Sequence, residues 1–150
     1  MNWIEYFFKI VDVIKLKSKD TSTKVGCIIV GPNNEIISTG FNGLPRGVME
    51  TEHRTEQRPT KYFYTEHAER NAIYLAARRG VPIDGASMYI QWFPCADCAR
   101  AIIQSGIKSV YIDKNYYDPK SPTAADKRWK DSFDASLAML NEANIKIIII

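Results

Sequence analysis

The sequence contains few cysteines, only three in 150 residues, and an odd number cannot be paired completely within one chain. Two of them form the pattern Cys95-x-x-Cys98, which in a reducing compartment indicates metal or redox chemistry rather than a disulfide framework. Cys27 lies among apolar and β-branched residues, as is typical of a buried cysteine. The sequence therefore predicts a fold that is stabilised by a hydrophobic core and not by disulfides.

The sequence also lacks a run of about 18 apolar residues, and its first residues include Glu5 and Lys9 and no small-residue cleavage site. We therefore expect a cytoplasmic protein that is neither exported nor bound to a membrane. Neither sign of charge dominates, since 20 Lys and Arg oppose 17 Asp and Glu, giving a net charge of +3. That excess is too small to indicate nucleic-acid binding, and it suits a small phosphorylated substrate equally well.

Hydrophobic periodicity predicts an α/β fold. Helical spacing covers 2–16, and two β-rich runs at 25–30 and 35–39 are joined by a Gly-Pro-Asn-Asn turn, which predicts a hairpin. The later segments are a helix at 66–79, a strand at 87–93, a helix at 95–104, a strand at 109–112, a helix at 124–143 and a strand at 145–150. Between them, 46–65 forms a long polar loop, of a length that is usually functional or disordered.

The alternation of strands and helices in the second half implies right-handed crossovers and parallel pairing. We therefore predict a three-layer α/β/α sandwich around a mixed five-stranded sheet, with an antiparallel N-terminal hairpin and parallel later strands. No repeat, linker or low-complexity tract divides the chain, and 45% of its residues are hydrophobic. One domain spanning 1–150 is the expected organisation.

Three residues with metal-binding side chains stand at two predicted helix starts. Cys95 and Cys98 lie on one side of a first helical turn, where the helix N-terminus favours thiolates, and His67 opens the preceding helix. Three ligands leave the fourth tetrahedral position of a zinc ion open for water. Glu69 is two residues from His67, so it is poorly placed as a ligand but well placed to move protons beside that water.

Other interpretations of these residues can be weighed. Taken alone, Cys-x-x-Cys is also typical of zinc ribbons and of redox pairs. A redox dithiol would leave His67 and Glu69 without a task, and a structural zinc would need a fourth ligand, for which Cys27 and His53 are the remaining Cys and His. The combination His-Ala-Glu followed by Pro-Cys-Ala-Asp-Cys resembles the zinc deaminases, in which a zinc-activated water replaces an amino group.

The resemblance extends over nearly the whole chain and is to the deoxycytidylate deaminases. It is carried by five stretches: 18–26, 40–47, 67–73, 93–99 and 103–107. The stretch 40–47, Gly-Phe-Asn-Gly-Leu-Pro-Arg-Gly, is far more particular than the zinc motif. The resemblance implies a cytidine-deaminase-like fold and hydrolytic deamination of dCMP to dUMP and ammonia, which supplies dUMP for thymidylate synthesis.

The resemblance also implies roles for substrate-binding residues. Asn42 resembles the amide that contacts the sugar, Tyr116 resembles the tyrosine that stacks on the pyrimidine, and Ala68 belongs to the substrate-binding set. Ser22 and Lys24 are candidates for binding the 5′-phosphate. From the residues alone, a turn residue is the favoured interpretation of Asn42 and a surface aromatic that of Tyr116, while Lys24 is equally typical of a solvated cation.

Relatives of this kind are commonly homohexamers that are activated by dCTP and inhibited by dTTP at a second site. The resemblance places that site at Gly40, Phe41, Asn42, Gly43 and Gly47. The second site would bind Mg²⁺ together with a nucleoside triphosphate, and its glycines would let backbone amides approach that nucleotide. The same glycines also fit a tight turn.

Many relatives hold a second, structural zinc with extra Cys and His. The inserted region here offers only His53, so we predict one zinc per chain.

Rival functions share the zinc residues. A deaminase acting on free cytidine, on guanine or on adenosine in tRNA would keep the zinc and Glu69. A tRNA editor should expose a broad basic surface, whereas Glu50, Glu52 and Glu56 lie in the long loop. A non-catalytic zinc-binding module would not require Glu69. The favoured prediction is therefore an enzyme with a small nucleotide substrate and no nucleic-acid partner.

Overall fold

The computed structural model describes all 150 residues. The helices are α1 (Trp3–Lys15), α2 (Glu52–Thr55), α3 (Lys61–Tyr64), α4 (Ala68–Arg79), α5 (Ala96–Gln104), α6 (Ala124–Arg128) and α7 (Lys130–Glu142). The strands are β1 (Gly26–Val30), β2 (Ile36–Phe41), β3 (Ser87–Ile90), β4 (Ser109–Ile112) and β5 (Lys146–Ile149). None of the helices has both the length and the apolar character that crossing a membrane requires.

The five strands form one mixed sheet in the order β2-β1-β3-β4-β5. β1 is antiparallel to both of its neighbours, β2 and β3, while β3, β4 and β5 are mutually parallel. The predicted hairpin, the parallel second half and the mixed five-stranded sheet are thus confirmed. All five residues of β1 are buried, whereas β2 alternates between buried and exposed positions, as expected for a central and an edge strand.

Helices cover both faces of the sheet, so the predicted three layers are confirmed. On one face, Phe7 and Val11 of α1 pack against Ile28 and Tyr89. On the other face, α4, α5 and α7 bury a larger core whose side chains include Ala72, Ala76, Ala99, Ile102 and Leu140. Cys27, predicted to be buried, is fully enclosed in this second core.

The sheet brings the starts of α4 and α5 to one edge. These helices follow β2 and β3, which are separated by β1 and are not adjacent as their order in the chain suggests. Because β1 is antiparallel to both, β2 and β3 run in the same direction and their helices begin at the same edge. Close packing of β2 on α4 depends on Gly40, where a Cβ would lie 2.2 Å from the carbonyl oxygen of Ala68.

Two predicted segments differ from the structure. The loop at 46–65 is not irregular throughout, since it contains α2 and α3. The helix predicted at 124–143 is divided at Trp129, whose φ of −92° and ψ of 4° leave the helical region between α6 and α7. Helical periodicity continues across that residue, which explains why the sequence pattern does not reveal the break.

Candidate active site

His67, Cys95 and Cys98 converge, with their ligand atoms all within 4.8 Å of one another. His67 is the N-cap of α4, Cys95 is the N-cap of α5, and Cys98 lies in the first turn of α5. Nδ1 of His67 lies 3.5 Å from Sγ of Cys95 and 3.6 Å from Sγ of Cys98. The structure therefore brings the three predicted ligands together, with Nδ1 as the imidazole atom that faces both sulfurs.

These distances fit a zinc ion. With Zn–S bonds of about 2.3 Å and Zn–N bonds of about 2.0–2.1 Å, sulfur and nitrogen ligands of a tetrahedral ion lie about 3.5 Å apart. Two thiolates and an imidazole are also the donors that zinc prefers. Glu69 is outside this ligand cluster, so three protein ligands leave one position open. We refer to His67, Cys95 and Cys98 as the zinc triad.

The two sulfurs are suited to a cation. Hydrogen bonding from Cys98 lowers the pKa of Cys95 to about 4, while the same bond and burial raise the pKa of Cys98. The guanidinium of Arg70 lies 3.4 Å from Sγ of Cys98, and the N-terminus of α5 begins between the two sulfurs. Positive charge is thus already placed around the pair, and a divalent ion would stabilise both as thiolates.

Glu69 lies in the first turn of α4 and is only 4% exposed. Burial raises the pKa of its carboxyl above the usual value, although the charge of His67 acts in the opposite direction. Together with His67 and Cys95 it lines an open pocket, whereas Cys98 lies behind the wall. A buried carboxyl group is therefore positioned where a ligand beside the zinc triad would meet it.

The pocket, called here the site pocket, combines aromatic and charged walls. Its aromatic lining residues are Tyr62, Trp92, Phe93, Trp129 and Phe133. Its cationic lining residues are Arg58, Lys61 and Arg128, and its acidic ones besides Glu69 are Asp20 and Asp126. The ring of Trp129 lies 6.0 Å from that of His67, edge to face, so an aromatic surface stands directly beside the zinc triad. Such walls suit a flat, anionic ligand.

Residues 1–114 match the family model of the cytidine and deoxycytidylate deaminase zinc-binding region. The chain belongs to this deaminase family. One relative, an uncharacterized deaminase of Aliivibrio fischeri, is 37% identical over 145 residues, which are 97% of this chain and 91% of that protein. Another, the deoxycytidylate deaminase of Mus musculus, is 40% identical over 131 residues, which are 83% of this chain and 72% of that protein.

Solved structures confirm the cytidine-deaminase-like fold of this family member. The dCMP deaminase of cyanophage S-TIM5, solved in complex with dCMP and dUMP, superposes with a TM-score of 0.73 at 26% identity, covering 97% of this chain and 95% of that chain. A diaminohydroxyphosphoribosylaminopyrimidine deaminase/5-amino-6-(5-phosphoribosylamino)uracil reductase of Thermotoga maritima shares the fold with a TM-score of 0.63 at 22% identity, covering 98% of this chain and 36% of that one. The family's zinc-binding region includes all three members of the zinc triad.

Two predicted substrate-binding residues, Asn42 and Ala68, line the site pocket. Oδ1 of Asn42 accepts a 2.8 Å hydrogen bond from the amide of Val25, and Nδ2 donates at 2.8 Å to the carbonyl of Thr23. One N–H of Asn42 therefore has no partner in the chain and remains available to a ligand. Both roles of Asn42 that the sequence left open, turn residue and ligand contact, are compatible with this arrangement.

The structure does not place Tyr116 in the site pocket. Its hydroxyl group contacts Asp12 at 3.3 Å and also Lys15, both on α1, and Nζ of Lys15 lies 4.6 Å from the centre of its ring. The ring of Trp92, which does line the pocket, lies 6.2 Å from that of Tyr116. Tyr116 thus lies behind Trp92 and outside the pocket lining in this chain.

The two candidate phosphate residues, Ser22 and Lys24, also lie outside the pocket lining. Both are exposed, and the backbone amide of Ser22 donates to Oδ1 of Asp20 at 2.8 Å. The cations that do line the pocket come from elsewhere in the sequence. Arg58 and Lys61 belong to the segment 46–65, which was predicted as a loop.

The residues assigned to a second nucleotide site are divided between interior and surface. Gly40 is buried in β2 against α4, so it has no exposed surface in the folded chain, and its assignment to that site stays a prediction. Gly43 forms a bridge with Glu66. Phe41 is 38% exposed, and Gly47 has a φ of +82° with open space around its Cα. Of the five residues assigned to that site, Phe41 and Gly47 are therefore exposed, Gly43 is half-buried, and Gly40 and Asn42 are buried.

Sequence reasoning missed a buried ion pair at the pocket. Nζ of Lys61 donates to Oδ2 of Asp20 at 2.9 Å, and the side chains are 7% and 8% exposed. Burial alone would raise the pKa of Asp20, but hydrogen bonds from the Thr23 amide and from Lys61 lower it. Because these partners are 41 residues apart in the chain, no local pattern signals the pair.

Proposed function

We propose that this protein hydrolytically deaminates dCMP to dUMP and ammonia in the cytoplasm, as a single domain with one zinc. The observation that carries the proposal is one pocket that is lined by His67, Cys95 and Glu69 together with aromatic and cationic side chains. The named activity of the Mus musculus relative and the ligands of the cyanophage structure support dCMP as the substrate.

The pyrimidine belongs against the aromatic residues beside the zinc triad. The rings of Trp129 and His67 are 6.0 Å apart, and Phe93 lines the same wall. Aromatic faces stack on bases with about 1–3 kcal/mol of stabilisation each. Trp129 therefore replaces Tyr116 as the residue that we expect to contact the base in this chain.

The reaction adds water to C4 of the base and removes the amino group from the same carbon. Zinc, when bound, supplies a Lewis acid that makes a water molecule acidic enough to react at neutral pH. Glu69 takes a proton from the attacking water, delivers it to N3 of the base and then assists protonation of the departing amine. The C4–O bond forms, the C4–N bond breaks, and the products are dUMP and ammonia.

The phosphate is bound by the cations of the pocket. Arg58 and Arg128 are exposed lining residues, and neither has a carboxylate partner within 4.0 Å. Planar guanidinium groups bind phosphate in bidentate fashion. Lys61 adds a third positive charge, although Asp20 neutralises part of it. These residues replace Ser22 and Lys24 as our candidates for the 5′-phosphate.

Assembly and regulation form a further part of the proposal. By family resemblance we infer a homo-oligomer, a hexamer, that responds to dCTP as activator and dTTP as inhibitor, each bound with Mg²⁺. The exposed side chain of Phe41 and the open space at Gly47 support a nucleotide contact at the 40–47 turn. Sedimentation gives the oligomer size, and dCMP turnover with added dCTP or dTTP gives the regulation. A monomer in sedimentation would contradict the assembly, and turnover that neither nucleotide changes would contradict the regulation.

The substrate is tested by comparing kcat/KM for dCMP, deoxycytidine, dCTP, cytidine and guanine with the purified, zinc-loaded protein. We expect dCMP to be deaminated most efficiently, because the pocket offers cations for one phosphate group and a metal site for the base. An equal or higher kcat/KM for any of the other compounds would contradict the assignment. The Glu69→Gln variant, measured in parallel, reports ammonia that arises from a contaminating activity.

A further inference from the structure

Asp126 carries a buried carboxylate oxygen without a partner. The residue is 5% exposed and lines the site pocket. Its Oδ2 accepts hydrogen bonds from the amide of Thr123 at 2.7 Å and from Oγ1 of Thr123 at 2.8 Å, which closes the N-terminus of α6. Its Oδ1 is fully buried and has no hydrogen-bond partner.

An unpaired buried acceptor destabilises a fold, and its presence in a native protein requires an explanation. The cap of α6 does not explain it, because the cap uses Oδ2 and the backbone amide of Asp126 alone. Nε1 of Trp92, a donor, is likewise buried and unpaired, and Trp92 lines the same pocket. One free acceptor and one free donor at a single pocket indicate a ligand that supplies a donor and an acceptor.

The chemistry of the substrate identifies the donor that faces Asp126. At neutral pH dCMP has two lasting donor groups, the 4-amino group of the base and the 3′-hydroxyl of the sugar. The amino group must lie at the zinc triad, where it is displaced. There Glu69, in the first turn of the helix that His67 caps, already supplies the carboxyl group for the departing amine, which leaves the 3′-hydroxyl as the donor for Asp126. The phosphate is excluded as well, because a carboxylate repels it.

We propose that Oδ1 of Asp126 accepts a hydrogen bond from the 3′-hydroxyl of the deoxyribose and makes the enzyme selective for nucleotides that carry this hydroxyl. The inference rests on the proposed function. The proposed role of Asp126 complements that of Asn42, which lines the same pocket and has one free N–H. A hydroxyl group donates and accepts at once, so Asn42 and Asp126 match its two capacities.

The test compares dCMP with 2′,3′-dideoxycytidine 5′-monophosphate, which lacks only the 3′-hydroxyl. For the wild-type enzyme we expect kcat/KM to be about 10- to 100-fold higher with dCMP, the range typical of a hydrogen bond to a charged acceptor. In Asp126→Ala the ratio should fall to about 1. A loss of folded protein lowers both rates equally and therefore does not change the ratio.

Asp126→Asn is the second variant. Its amide oxygen can still accept from Thr123 and preserve the cap, while its NH₂ group stands where the free carboxylate oxygen was. We expect an intermediate ratio, several-fold below that of the wild type. Trp92→Phe is the matched control, since it removes the other unpaired polar atom of the pocket and should lower both rates by the same factor.

The outcomes separate the inference from the proposed function. If the wild type deaminates both nucleotides with equal efficiency, or if either Asp126 variant keeps the wild-type ratio, Asp126 does not read the 3′-hydroxyl, although dCMP deamination stands. If the wild type deaminates neither nucleotide, the proposed function fails first and the inference fails with it. A ratio that falls in both Asp126 variants but not in Trp92→Phe supports the inference.

Discussion

Lys61 donates a 2.9 Å hydrogen bond to Asp20, and both side chains are more than nine-tenths buried. The pair joins the segment 46–65 to the loop before β1, and both residues line the site pocket. Removing one member of a buried ion pair leaves the other charge without a partner in a poorly solvated environment. The wall of the pocket therefore depends on a buried electrostatic contact between two segments that are distant in sequence.

We predict that Asp20→Asn lowers the free energy of unfolding by about 3–5 kcal/mol, because it leaves the ammonium of Lys61 buried without its counter-charge. Urea denaturation measures the change. Glu50→Gln is the matched control, since Lys19 and Glu50 join the same two segments but are 73% and 48% exposed, and an exposed pair contributes at most about 1 kcal/mol. Equal destabilisation by the two variants would contradict this account of the pair.

Much of the fold can be predicted from local patterns. The helical stripe of α1, the Gly-Pro-Asn-Asn turn between β1 and β2, and the alternation of strands and helices after β3 each identify an element and its neighbour. The position of β1 between β2 and β3 was missed, although its continuous burial marks it as a central strand. A continuous apolar run indicates a central strand and an alternating run indicates an edge strand, so these two patterns together predict the order β2-β1-β3.

The candidate site also has one part that sequence motifs predict and another part that only the folded chain shows. The zinc triad and Glu69 stand at helix starts within two short motifs, whose combination resembles the zinc deaminases and so indicates their chemistry. Trp129 and Lys61 enter the pocket from segments that tertiary packing places there, and no spacing in the sequence links them to His67. For Asp126, the Thr-x-x-Asp pattern signals a helix cap, but which carboxylate oxygen stays free is decided by the folded chain.

Metal content tests the zinc triad. We predict one zinc per chain in the purified protein and less than stoichiometric zinc in Cys95→Ser, because a hydroxyl is a much weaker zinc ligand than a thiolate. Mass-spectrometric metal analysis against protein concentration gives the number. Cys27→Ala is the control, since Cys27 is buried away from the triad and its loss should leave the zinc in place. Two zinc ions per chain would refute the single site.

Glu69→Gln separates proton transfer from metal binding. We expect the variant to keep its zinc and to lose about 10²- to 10⁴-fold in kcat, the usual contribution of a general acid–base group. The amide occupies the same volume but neither accepts nor donates a proton in the reaction. Glu56→Gln, at an exposed position, is the control and should keep wild-type turnover. An active Glu69→Gln would mean that another group moves the protons.

Phosphate recognition is measured as the ratio of kcat/KM for dCMP to that for deoxycytidine. We predict that Arg58→Gln and Arg128→Gln each lower this ratio about 10-fold or more, because each removes a charged donor from the pocket wall. Lys24→Gln should leave the ratio unchanged, since Lys24 is exposed and does not line the pocket. If Lys24→Gln lowers the ratio and the two Arg variants do not, Ser22 and Lys24 are again the candidates for binding the 5′-phosphate.

The central claim is that this chain replaces the 4-amino group of dCMP with oxygen from water, using a zinc site formed by His67, Cys95 and Cys98. The most direct measurement is incubation of the zinc-loaded protein with dCMP in ¹⁸O-labelled water, followed by mass spectrometry of the nucleotide and quantification of ammonia. We predict dUMP with one ¹⁸O atom and an equal amount of ammonia. Unaltered dCMP with the zinc-loaded wild type would contradict the account.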